Sequence, residues 1–151
     1  MAKIGIIGDN EDNLTKYVKE MEKIFDEFGI FYETKIISGM DSLEPVYQFI
    51  EYAENTQIEI IIVLAGTSTH LPGIIASKTI IPVIGVPLPS KDITNTDTIF
   101  SMIQMPEGVP VACVSFGKAG IKNSVILALE ILSLKEKNIK EKLKKFKEKF
   151  V

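Results

Sequence analysis

The stretch IEIIIVL, at residues 58–64, decides the fold class of this 151-residue chain. Six of its seven positions are apolar, and the last five, residues 60–64, form a continuous run without the alternation typical of a strand that has one face in water. Such a run predicts a strand buried on both faces, and strands of that kind belong to parallel sheets covered by helices on two sides. The stretch therefore predicts an α/β protein.

Outward from this run, further apolar strands alternate with amphipathic helices in both directions. Strands are predicted at residues 3–8, 31–37, 81–86 and 109–115. Helices are predicted from Asp12 or Asn13 to Phe28, with Gly29 as the stop, and over residues 42–55, 70–78, 95–103, 118–134 and 136–150. With right-handed crossovers, this order gives a three-layer, doubly wound sheet of five parallel strands, flavodoxin-like, with an extra C-terminal amphipathic helix.

No repeat, low-complexity tract or linker interrupts the pattern, so a single domain of residues 1–151 is predicted. The last predicted helix carries an apolar stripe at helical spacing, formed by Ile139, Leu143, Phe146 and Phe150. A monomer would leave this stripe in water, so the sequence predicts that a neighbouring subunit covers it.

The composition is that of a soluble globular protein, with 46% apolar and 25% charged residues. A net charge of −3 argues mildly against a nucleic acid partner, and no apolar run approaches the roughly 20 residues that span a bilayer. The single cysteine, Cys113, fits a reducing compartment, and Met1 leads directly into a strand without room for a signal peptide. We expect a cytoplasmic protein that binds neither nucleic acid nor membrane.

All 17 basic residues are lysine, so the chain has no arginine. A lysine-biased genome is the simplest cause. The chemical consequence is that no side chain can offer the planar fork that proteins favour for binding phosphate and carboxylate.

In doubly wound folds the ligand lies outside the carboxyl ends of the strands. The loops to inspect are therefore residues 8–12, 38–41, 65–70, 87–97 and 115–119. In AGTSTHLPG, at residues 65–73, a glycine and three hydroxyl residues lead into a helix at His70, the one histidine of the chain. This arrangement predicts an anion site on backbone N–H groups beside a side chain that titrates near neutrality. Alternatively, the hydroxyl groups only cap the helix and His70 is a surface residue.

The same loop, AGTSTHLPG, resembles the AGxxAHLPG segment of the PurE family of carboxyaminoimidazole ribonucleotide mutases. Three further segments match that family in order: IPVIGVP at 81–87, QMPEGVPVA at 104–112 and GKAGIKN at 117–123. The resemblance extends over residues 3–146. It implies a homo-octamer with sites at subunit boundaries, and a reaction that moves a carboxylate from nitrogen to carbon on aminoimidazole ribonucleotide in purine synthesis, or adds carbon dioxide directly. No metal or organic cofactor is implied.

The resemblance also implies which residues form the site. His70 is the catalytic candidate. The candidates for binding the substrate are Gly8, Asp9, Glu11, Asp12, Ser38, Met40, Asp41, Ala65, Gly66, Thr67, Ser68, Pro87, Lys91 and Asp97. Lys118 and Lys122 are further possible cations.

Three segments that carry these candidate residues depart from the family, at residues 8–12, 38–41 and 93–97. The family's G-S-x-S-D, whose serines cradle the substrate phosphate, is replaced by GDNED at residues 8–12, where only Gly8 and Asp12 are kept. The alternative role for the new acids, Asp9 and Glu11, is helix capping. The family's S-A-H-R, with a proton-shuttling histidine and a phosphate-binding arginine, is replaced by SGMD, which ends in Met40 and Asp41.

A third segment, L-N-G-L-D in the family, is replaced by ITNTD at residues 93–97, where only Asp97 is kept. Two hypotheses follow. In the first, the chain is a PurE-family lyase or mutase on aminoimidazole ribonucleotide, with weakened or lost activity and with His70 taking over the proton work. In the second, it is a divergent paralogue that binds or transforms a different, non-phosphorylated, nucleoside-like molecule.

Overall fold

Five parallel strands form the centre of the computed structural model, which describes residues 1–38 and 41–151. The strands are β1 (Ile4–Gly8), β2 (Tyr32–Ile36), β3 (Ile60–Ala65), β4 (Val83–Pro87) and β5 (Ala112–Cys113). They form one sheet in the order β2-β1-β3-β4-β5, with every neighbouring pair parallel. This order is that of flavodoxin-like folds, in which the strand order reverses between β1 and β3.

Helices cover both faces of this sheet. They are α1 (Glu11–Phe28), α2 (Glu44–Glu54), α3 (Leu71–Ala76), α4 (Asn95–Ile103), α5 (Gly117–Ser133) and α6 (Lys137–Lys147), followed by a 3-10 turn at Glu148–Phe150. One core cluster joins the sheet to α1, α5 and α6, and a second joins it to α2, α3 and α4. The predicted three-layer, doubly wound α/β fold with a C-terminal helix is confirmed.

Strand β3 shows why its sequence is apolar without alternation. Ile60, Ile62 and Leu64 pack into the core on one side of the sheet, while Ile61 and Val63 pack into the core on the other side. Side chains of a strand point alternately to the two faces. Since helices cover both faces here, every position of the strand has to be apolar.

The N-cap of helix α1 lies two or three residues earlier than the sequence predicted. It is Asn10, whose side-chain oxygen accepts a hydrogen bond from the backbone N–H of Asn13 at 2.8 Å. The prediction of Asp12 or Asn13 as the cap is therefore wrong. Asparagine and aspartate cap helices about equally well, so the sequence alone did not separate the candidates. The predicted stop is confirmed, because Gly29 has the left-handed φ of 68° typical of a helix C-terminus.

Strand β5 is shorter than predicted, since Ala112–Cys113 replaces the expected residues 109–115. Before it, Pro110 has no N–H group to donate to a sheet. After it, Ser115 has a φ of 123°, which lies outside the region that strands occupy. Burial raises the pKa of the Cys113 thiol above its ordinary value, so the thiol stays protonated at neutral pH.

The apolar stripe of α6 packs against its own chain. Ile139, Leu143 and Phe146 belong to the core that includes α1 and α5, and the ring centroid of Phe146 lies 5.6 Å from that of Phe28. Of the four stripe residues, Phe150 is the exposed one. The inference that this stripe needs a neighbouring subunit is wrong for the other three. Assembly as a homo-octamer stays a prediction from the family resemblance.

Candidate functional site

The loops that follow β1, β3 and β4 meet at one edge of the sheet, and we call the space that they border the crevice. In the sheet register, Gly8 at the end of β1 pairs with Leu64, and Ala65 at the end of β3 pairs with Pro87 at the end of β4. Three of the predicted binding residues (Gly8, Ala65 and Pro87) thus mark adjacent strand ends.

Gly66 lies where the loop after β3 meets the loop after β4 and helix α1. A Cβ atom at this position would lie 3.2 Å from the carbonyl oxygen of Pro89 and 3.4 Å from Nδ2 of Asn13. The first distance is tighter than most real Cβ contacts, and it involves backbone that cannot rotate away. A side chain here would push the backbone after β4 away by a few tenths of an ångström, so glycine suits the place where the loops after β3 and β4 meet α1.

Asp9 directly follows β1 and is buried, with 4% of its surface exposed. Its Oδ2 atom accepts hydrogen bonds from three successive backbone N–H groups, those of Gly66 at 2.8 Å, Thr67 at 2.7 Å and Ser68 at 3.0 Å. The sequence predicted an anion site on the backbone of this loop. In the structure these N–H groups are donors to an anion, and that anion is the chain's own carboxylate.

The other oxygen of the same carboxylate binds side-chain amides. Oδ1 of Asp9 accepts from Nδ2 of Asn10 at 3.1 Å and from Nδ2 of Asn13 at 3.3 Å. Sequence reasoning considered Asn13 only as a helix cap and missed both asparagines as partners of Asp9. Their spacing, one and four residues after Asp9, brings them to Asp9 only because α1 begins at Glu11.

Hydroxyl groups connect the loops after β3 and β4 at the surface. Thr67 is exposed, and its Oγ1 lies 3.4 Å from Oγ of Ser90. Ser68 is half-buried, and Lys91 is exposed next to Ser90. Ser90 was missed from the sequence, where only its neighbours Pro87 and Lys91 were named. The crevice thus offers neutral hydrogen-bonding groups at its surface.

His70 is exposed and directly precedes α3. Its backbone carbonyl accepts the first hydrogen bond of that helix, from the N–H of Ile74 at 3.0 Å. The side chain makes no capping bond to the helix. An imidazole held by its backbone and open to solvent can exchange a proton with a bound molecule.

The other predicted acids are exposed. Glu11 and Asp12 lie in the first turn of α1, where the helix dipole favours negative charge, and Asp41 follows β2. Asp97 has a local partner, because its Oδ2 accepts a hydrogen bond from Oγ1 of Thr94 at 2.7 Å and its backbone N–H donates to the same hydroxyl at 3.1 Å. This reciprocal pair caps α4, so Asp97 has a structural role as well as its predicted one.

Comparison with known proteins assigns the family. The sequence profile of the family described as AIR carboxylase matches residues 3–151. The chain belongs to this family. The PurE resemblance drawn from the sequence motifs is thereby confirmed.

Relatives of this AIR carboxylase family member carry the name N5-carboxyaminoimidazole ribonucleotide mutase. The protein from Pyrococcus abyssi is 47% identical over 98% of this chain and 83% of its own length. The protein from Saccharolobus solfataricus is 43% identical over 98% of this chain and 92% of its own length. The crystal structure of Treponema denticola PurE superimposes with a TM-score of 0.82 at 26% identity, covering 97% of this chain and 90% of that one.

Several PurE-type site predictions stay open. Met40, which replaces the family's histidine, lies outside the described residues, and Ser38 and Asp41 are exposed on either side of it. Lys118 turns toward α1, where its Nζ lies 3.2 Å from Oε1 of Glu20. Lys122 is exposed on α5.

The described parts of the chain, residues 1–38 and 41–151, contain neither a cluster of metal ligands nor a membrane-spanning helix. No three His, Cys, Asp or Glu side chains there lie together as metal ligands. No helix there is long and apolar enough to cross a membrane.

Proposed function

We propose that this PurE-family protein is of the lyase or mutase type acting on aminoimidazole ribonucleotide, with weakened or lost activity because its crevice disfavours the phosphate of that substrate. The observation that carries the proposal is the charge of the loops at the carboxyl edge of the sheet. These loops and the first turns of the helices that follow them contain six carboxylates, those of Asp9, Glu11, Asp12, Asp41, Asp92 and Asp97. Against these stand two lysines, Lys91 and Lys118, and no arginine.

This charge balance disfavours a phosphate dianion. Two like charges about 4 Å apart repel by about 4 kcal/mol at an effective dielectric constant of about 20. Salt and water weaken this repulsion for the exposed acids, Glu11, Asp12 and Asp41. Lys118 offers little compensation because it already pairs with Glu20. The family's arginine, which would bind phosphate through two parallel hydrogen bonds, is replaced by Asp41.

The proton-transfer chemistry is also weakened. Met40 occupies the position of the family's proton-shuttling histidine, and a thioether cannot carry a proton. His70 is the remaining imidazole, exposed at the start of α3. We assign to it any residual proton transfer during movement of a carboxylate between nitrogen and carbon of the imidazole ring.

A second candidate function is favoured by the acidic loops themselves. A divergent paralogue that binds or transforms a different, non-phosphorylated small molecule would have no need of a phosphate cradle. The neutral groups at the crevice surface, such as Thr67, Ser90 and the backbone around them, suit the hydroxyl groups of a sugar. Both candidates place a nucleoside-like ligand in the same crevice and differ in the reaction.

A mutase assay on the purified protein tests the proposal. The rate of N5-carboxyaminoimidazole ribonucleotide conversion should lie roughly 10²–10⁴-fold below that of the Pyrococcus abyssi relative, because a positioned acid–base group is missing. His70→Ala should abolish what rate remains, without lowering thermal stability, since this side chain is exposed. A wild-type rate within about tenfold of the relative's would contradict the proposal.

A further inference from the structure

Asp9 differs from the other acids of the crevice in being buried without a cation. All five hydrogen bonds that it accepts come from neutral amides, three on the backbone after β3 and two on asparagine side chains. A buried carboxylate is stable only when hydrogen bonds replace its water. Convergent N–H groups from successive residues are the usual way in which backbone binds an anion.

We propose that the backbone of residues 66–68 is an anion-binding site that the carboxylate of Asp9 fills from within. Asp9 is then a specificity-determining residue, because it closes this site to carboxylate or phosphate groups of a ligand. The inference goes beyond the proposed function, since it concerns a site that the native chain keeps occupied.

The geometry separates this role from simple helix capping. The cap of α1 is Asn10, so Asp9 is not needed there. Helix α3 begins at Leu71. The three N–H groups that donate to Asp9 therefore precede this helix and take no part in the hydrogen bonds within it. They converge on the single atom Oδ2, at 2.7–3.0 Å, as they would on one oxygen of a bound anion.

The site also borders the surface. Thr67, whose N–H makes the shortest of these bonds, is exposed, and Ser68 is half-buried. Removal of the Asp9 side chain would therefore leave a space that small anions can reach from solvent. Asp9→Ala removes a carboxylate group and makes room for formate. Asp9→Gly also removes the methylene group and makes room for acetate.

Chemical rescue tests this proposal on the full chain. Thermal unfolding of each variant is followed in chloride and in formate, acetate or phosphate at equal ionic strength. Asp9→Ala should melt roughly 5–15 °C below wild type, because buried N–H groups lose their acceptor. Formate should then raise its melting temperature, and the rise should grow with the logarithm of the formate concentration, as it does for a ligand that binds the native state. Asp9→Gly should respond to acetate in the same way.

Two matched controls separate binding from general salt effects. Asp9→Asn removes the charge but fills the space, so formate should not stabilise it beyond wild type. Asp12→Ala removes an exposed carboxylate three residues away and should show no specific response to any of the anions. If Asp9→Ala and Asp9→Gly do not fold, Asp9→Ser takes their place, since serine is what the family carries here.

The proposal would be overturned if the anions changed the melting temperature of these Asp9 variants no more than that of wild type. Rescue by carboxylates but not by phosphate would support a site of carboxylate size, and rescue by both would support a general anion site. The test uses no nucleoside, so its outcome is separate from that of the proposed function.

Discussion

At the scale of single residues, Asn10 joins the helix start to the crevice. Its side-chain oxygen caps α1, and its Nδ2 donates to the buried carboxylate of Asp9. We predict that Asn10→Ala lowers the free energy of unfolding by about 1–2 kcal/mol, the usual cost of losing a cap. Urea unfolding measures this difference.

The matched control is Asn138→Ala, which removes an exposed asparagine from the first turn of α6. A surface substitution of this kind should change stability by less than about 0.5 kcal/mol. Equal effects of the two substitutions would show that Asn10 has no special role.

The sequence singled out several residues of the loops that border the crevice, such as Asp9 and Gly66, but not the way in which they bind one another. AGTSTHLPG predicted backbone N–H donors, and GDNED placed acids where the family has phosphate-binding serines. Nothing within either segment predicts that the two segments contact each other. Asp9 meets Gly66 only because β1 and β3 are neighbours in the sheet, 57 residues apart in the chain. The burial of Asp9 is therefore a property of the tertiary fold.

At the scale of secondary-structure elements, α6 packs against its own chain, in the core that includes α1 and α5. Phe146 is 7% exposed and packs edge-to-face on Phe28, whereas Phe150 is 66% exposed. We predict that Phe146→Ala lowers the free energy of unfolding by about 3 kcal/mol, as truncation of a buried aromatic ring does. Phe150→Ala should lower it by about 1 kcal/mol, since the ring of Phe150 is largely exposed and contacts that of Phe146, at 5.5 Å between centroids.

Urea unfolding at low protein concentration compares the two variants. If Phe150→Ala were as costly as Phe146→Ala, the end of the chain would be buried in solution, and an assembly would have to cover it. If neither substitution lowered the free energy of unfolding, α6 would not pack on α1 and α5 in solution.

The elements themselves were largely predictable from apolar periodicity. Strand β3 and helix α4 lie close to their predicted bounds. A strand buried on both faces leaves a continuous apolar run in the sequence, whereas a helix buried on one face leaves apolar residues at helical spacing. Periodicity alone did not say what the apolar face of α6 covers, since the same stripe fits a neighbouring subunit or the chain's own core. It also overestimated β5, where Pro110 and the backbone turn at Ser115 shorten the pairing.

At the scale of the whole molecule, charge is distributed unevenly. Eight of the 17 lysines lie in residues 135–149, whereas six carboxylates lie in the loops at the carboxyl edge of the sheet and in the first turns of the helices that follow. Part of the basic segment is neutralised by ion pairs such as Lys135 with Glu59 and Lys149 with Glu27. The family's scaffold is thus kept while the charge around its crevice is negative.

The central claim, that the crevice discriminates against phosphate, is tested most directly by calorimetric titration. Aminoimidazole ribonucleoside and its 5′-phosphate are titrated into the wild-type protein at low and at high salt. We predict that the nucleoside binds at least about tenfold more tightly at low salt, which corresponds to about 1.4 kcal/mol. The difference should narrow at high salt, because ions screen the exposed carboxylates. Tighter binding of the phosphorylated form at low salt would contradict the account.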